Sequence, residues 1–79
     1  MIFNIEVHTT DRVIPLLCDE ASGYKAELKA EDDITITELR AMRGGDLVYQ
    51  TTCHRLIQAG KSLTVNLLGL AILYSAPDV

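Results

Sequence analysis

Apolar and polar positions alternate over three stretches of the chain. In Ile2 to His8, Phe3, Ile5 and Val7 fall on one face and Asn4, Glu6 and His8 on the other, the signature of a half-buried strand. Tyr24 to Glu31 alternates throughout, with Tyr24, Ala26, Leu28 and Ala30 opposite Lys25, Glu27, Lys29 and Glu31. Ala, Glu, Lys and Leu favour helices. On a helix, however, these apolar residues would scatter around the axis, so the period of two prevails and predicts a strand. The third stretch, Ile34-Thr35-Ile36-Thr37, is shorter and runs into a predicted helical segment, Glu38 to Met42. There Leu39 and Met42 are three apart on one face, and Arg40 and Arg43 share another. Two starts fit this helix: a capping box of Thr35 with Glu38, or Thr37 as N-cap.

Two apolar runs lack a polar face. Val13 to Cys18 contains Val13, Ile14, Leu16, Leu17 and Cys18 around Pro15. Proline has no N–H for a ladder, so an edge strand or a strand at a subunit interface fits, with a short helix as the competing reading. Leu67 to Leu73 is almost wholly apolar, and Gly69 within it signals a bulge or a close backbone approach. Turn signals stand at Thr9 to Arg12, Asp19 to Gly23 and Glu31 to Asp33. Gly44-Gly45 is read as the stop of the helix, followed by a strand from Leu47 to Gln50. Arg55 to Val65 reads as a hairpin turning near Ala59-Gly60-Lys61, with a helix from His54 to Ala59 as the alternative. Ser75 to Val79 is a polar tail. The fold class that follows is mainly β with one short helix, in a single domain spanning 1–79.

Length changes the picture. A chain of 79 residues buries only about 60% of its unfolded surface, and such a core supplies roughly 3–5 kcal/mol net. Chains of this size often add a disulfide, a metal or a partner. With only Cys18 and Cys53 and no CxxC pair, reduced, buried cysteines are expected, and oligomerisation becomes the main source of extra stability. The net charge is −4, with acidic clusters at Asp19-Glu20 and from Glu27 to Asp33. That balance argues against nucleic acid, whose affinity rests on Lys and Arg. Residues 1–6 lack a basic n-region and an apolar run, so no signal peptide is expected. Leu63 to Tyr74 is too short for the ~20 residues of a membrane-spanning helix. A cytoplasmic protein without membrane insertion is the expectation.

Candidate chemistry is sparse. Cys53 next to His54 suggests a metal or thiolate–imidazole pair, but neighbours on a strand point to opposite faces. A structural zinc site needs about four ligands, which His8, Cys18, Cys53 and His54 supply only if the fold gathers them. There is no phosphate-cradling glycine loop and no supported Ser–His–Asp order. A non-enzyme without cofactor or metal is expected.

The segment from Tyr24 to Ile72 resembles the SpoA (surface presentation of antigens) domain of flagellar switch and type III secretion ring proteins. Ile34 to Leu39 (ITITEL), Gly45-Asp46, Leu56-Ile57-Gln58-Ala59-Gly60 with Lys61 to Val65, and Leu68-Gly69-Leu70-Ala71-Ile72 follow the family's order of motifs. Thr52-Cys53-His54 stands where the family often has a Val-Asn-Gly turn, and residues 1–23 are an extra strand region beyond the pattern. The resemblance implies a small barrel of 5–7 strands, intertwined with a second SpoA domain as a homodimer or heterodimer. It also implies an adaptor role in the cytoplasmic ring or sorting platform, peripheral to the inner membrane, binding the stator-like regulator of the export ATPase. The expected interface comprises Val13, Ile14, Leu16, Leu17, Leu56, Ile57, Leu63, Val65, Leu67 and Leu68. Arg40 and Arg43 are candidates for salt bridges to a partner. If the helix from His54 to Ala59 forms instead, the order resembles a STAS-like regulatory domain with a phosphorylatable Ser or Thr, Thr51 and Thr52 being the positions to test.

Overall fold

The computed structural model describes residues 1–69 and 71–76. Its elements are β1 (Ile2–Thr9), β2 (Val13–Asp19), a 3-10 turn (Glu20–Ser22), β3 (Lys25–Lys29), β4 (Ile34–Arg43), β5 (Asp46–Ile57), β6 (Ser62–Leu68) and β7 (Ala71–Ser75). One antiparallel sheet has the order β2-β1-β4-β5 and the other β3-β6-β7. The protein is therefore mainly β.

The inward positions of both sheets meet in one core. Phe3, Ile5 and Val7 of β1 sit opposite Cys18, Leu16 and Ile14 of β2. Ala41 and Leu39 of β4 continue the same rows beside Ile5 and Val7. The facing sheet contributes Ala26, Leu63, Val65, Leu67 and Ile72. β2 lies beside β3 and β5 beside β7, so the two sheets approach closure at both seams. At the first seam the Tyr24 N–H donates to the Asp19 carbonyl at 2.8 Å.

The strands expected over Ile2 to His8 and Val13 to Cys18 are present as β1 and β2, and that over Tyr24 to Glu31 as the shorter β3, Lys25–Lys29, with Tyr24 before it at a φ of 58°. Pro15 lies on an edge strand of its sheet, where its missing N–H costs no ladder bond. The Asp19 to Gly23 turn is a 3-10 turn closed by a capping box between Asp19 and Ser22.

The helix expected from Glu38 to Met42 is absent, and β4 runs unbroken to Arg43. Pairing with β5 and with β1 is irregular around Thr37, and an extra residue there shifts the inward positions from Ile34 and Ile36 to Leu39 and Ala41. A spacing of three between Ile36 and Leu39 is thus a bulge. Gly44 and Gly45, read as a helix stop, form the β4–β5 turn between paired Arg43 and Asp46, with φ of 60° and 90°. A two-residue hairpin of the I′ kind needs positive φ at both positions.

The turn near Ala59-Gly60-Lys61 exists, but β5 and β6 do not pair. β5 belongs to one sheet and β6 to the other, so the chain passes from sheet to sheet there through the exposed Gln58 to Lys61. The Gly60 N–H donates to the Ala30 carbonyl at 2.7 Å and the Ala59 N–H to Asp33 Oδ1 at 2.8 Å, which pins the crossing. Leu67 to Leu73 contains a turn instead of a bulged strand: Leu68 faces Ala71 and Gly69 has φ of 61°. The alternative helix from His54 to Ala59 is overturned as well, because β5 extends to Ile57. Residues 77–79 of the expected tail lie outside the described residues. Among the described residues, no helix is long and apolar enough to cross a membrane.

Candidate interaction surface

The ten residues expected at an interface fall into three groups. Ile57, Leu63, Val65 and Leu67 are buried in the chain's own core, which corrects their assignment to a surface. Period-two strands facing an opposing sheet bury them within one chain. Ile14 and Leu16 are half-buried against the same core. Val13, Leu17, Leu56 and Leu68 are exposed. These four do not form one patch. Leu17 shares a row with Asn4, Met42 and Leu47, near the Gly44-Gly45 turn. Val13, opposite His8, and Leu56, opposite Thr35, lie towards the other end of the sheet.

Exposed apolar side chains concentrate at the first of these ends. Met1, Ile2, Leu17, Leu47, Val48 and Leu68 are all there, with Leu17 68% and Leu68 63% exposed. The Gly44-Gly45 turn, residue 1 and the Gly69 turn meet at this end. Arg43 Nη1 approaches the Met1 sulfur at 3.4 Å, and Met1 and Gly69 line the same cavity. Leu17 and Leu68 alternate with the buried Cys18 and Leu67, so each points outward from its own sheet.

That cavity has a volume of about 210 Å³ and is walled by Met1, Phe3, Tyr24, Tyr49, Leu67 and Gly69. Three of the chain's four aromatic residues therefore converge on it. Phe3 is the hub: its ring centroid is 5.9 Å from Tyr24 at 71° and 6.3 Å from Tyr49 at 34°. The Tyr24 hydroxyl pKa is raised, first by burial and then by the charge of Glu20 and a hydrogen bond with it. Glu20 Oε1 also lies 3.5 Å from the N-terminal ammonium. Glu20, beside the cavity, is thus already engaged by Tyr24 and the N-terminal ammonium.

Elsewhere the outer face of the four-stranded sheet carries polar pairs beside the exposed Val13 and Leu56. His8 Nε2 meets Glu6 at 3.0 Å, Arg40 Nε donates to Glu38 at 2.7 Å, and Gln50 also donates to Glu38. Arg40, expected to pair with a partner, already has an ion pair within its own sheet. Arg43 stands on the apolar end beside Met1. Both lie on β4 and on no helix.

Cys18 and Cys53 are free, the first buried and the second half-buried. Burial raises both thiol pKa values; Asp19 adds to the effect at Cys18, and Tyr74 and Arg55 oppose it at Cys53. His8 pairs with Glu6 on the outer face while Cys18 packs inside, so the four candidate ligands are not gathered. Among the described residues, no three His, Cys, Asp or Glu side chains are placed to hold a metal ion.

The aromatic cavity was missed by sequence reasoning. Phe3, Tyr24 and Tyr49 each read as one apolar position on a separate strand, and only their strand register brings them together. The available signal was compositional: a chain with so few aromatics places three of them at inward positions of strand ends. In comparisons with family models, curated proteins and solved structures, nothing matches this chain.

Proposed function

We propose that this chain is a non-catalytic docking domain whose protein partner covers the apolar end around Leu17, Ile2, Leu47 and Leu68. The observation that carries this reading is the exposure of six large apolar side chains, Met1, Ile2, Leu17, Leu47, Val48 and Leu68, at one end of the strands. Contiguous apolar surface on a small domain marks a protein interface more often than a solvated face. Covering it adds stabilisation at roughly 25 cal/mol per Å², which matters for a domain with a net stability of a few kcal/mol.

The SpoA resemblance supplies the specific version of this proposal. The chain then serves as an adaptor of a type III secretion ring or flagellar switch. It pairs with another SpoA domain and receives the stator-like regulator of the export ATPase, in the cytoplasm at the inner membrane. The order of motifs from Ile34 to Ile72 and the mainly β fold support it. The strand at Glu38 to Met42 and the sheet crossing between β5 and β6 depart from the pattern, so here the sequence motifs carry the resemblance. Since Ile57, Leu63, Val65 and Leu67 already fill the chain's own core, the partner docks on a finished fold.

Light scattering across a concentration series tests the docking reading. A dimer that persists on dilution, or a monomer that forms a 1:1 complex with a second SpoA domain, supports it. A monomer at millimolar concentration that ignores such domains overturns the SpoA version.

A further inference from the structure

We draw no further inference here: the strongest candidate, the cavity walled by Phe3, Tyr24 and Tyr49 at the apolar end of the strands, belongs to the surface already described, and nothing in the structure shows what covers it.

Discussion

Phe3 stands edge-on to Tyr24, ring centroids 5.9 Å apart and planes at 71°, and so joins the four-stranded sheet to the start of β3 in the three-stranded one. The two sheets share few backbone hydrogen bonds at this seam, so side-chain packing must hold it. Edge-to-face pairs contribute about 0.5–1.5 kcal/mol beyond area burial. Phe3→Leu should therefore lower the unfolding free energy by about 1–2 kcal/mol in urea titration, with the slope unchanged. A loss below about 0.5 kcal/mol would show that the ring pair does not hold the seam.

The Gly44-Gly45 turn gives a prediction that separates hairpin from helix stop. Both glycines have positive φ, and space for a Cβ is open at each. The cost of substitution is therefore conformational, about 1–2 kcal/mol per L-residue in the left-handed region. Gly44→Ala and Gly45→Ala should each destabilise the fold by that amount, and Gly44→Asn by less, because Asn tolerates this conformation. A helix cap needs positive φ at one residue alone, so it predicts a penalty at only one of the two positions. Thermal unfolding of the three variants decides.

Much of the strand framework was legible in the sequence. Ile2 to His8 and Tyr24 to Glu31 alternate cleanly because one face of each strand is buried. Pro15 marked an edge by its missing donor. The errors share one physical origin, a local change of period. The bulge at Thr37 moves the inward positions by one residue, so Ile36 and Leu39 acquire the three-residue spacing of a helix. Leu67 to Leu73 hides a turn because Gly69 is flanked by apolar residues on both sides. The interface prediction failed for Ile57, Leu63, Val65 and Leu67 because an apolar strand position does not reveal which partner buries it. Here the second sheet of the same chain does so. The aromatic cavity depends on register between strands remote in sequence, which no local pattern records.

The cysteines predict an alkaline sensitivity. Burial raises the pKa of Cys18 and Cys53 above the ordinary thiol value of 9.0. A group whose pKa is raised by folding stabilises the native state below its unfolded pKa. That contribution is lost as the pH rises through the folded value. Stability should thus decline from about pH 9 upward. The variant Cys18→Ala/Cys53→Ala should show a shallower decline between pH 8 and 10.5, whatever its absolute stability. Iodoacetamide should label Cys53 before Cys18, which is 2% exposed. Equal slopes for variant and parent would remove the thiols from the account.

Which end of the molecule associates can be decided with single surface substitutions. Leu17 is 68% exposed on the outer row of β2, so Leu17→Asp removes no core contact and should leave the unfolding midpoint of the isolated chain nearly unchanged. If a partner covers this residue, burying the leucine contributes about 1.5–3 kcal/mol. In a symmetric dimer the residue counts twice, so association should weaken by at least about 100-fold. Leu56→Asp, on the opposite end, should leave association intact, and Leu63→Asp in the core should unfold the chain. Light scattering and circular dichroism on the three variants distinguish loss of docking from loss of fold. Dissociation by Leu56→Asp with none by Leu17→Asp would move the interface to the end carrying Val13 and Leu56, and the aromatic cavity would then have no part in docking.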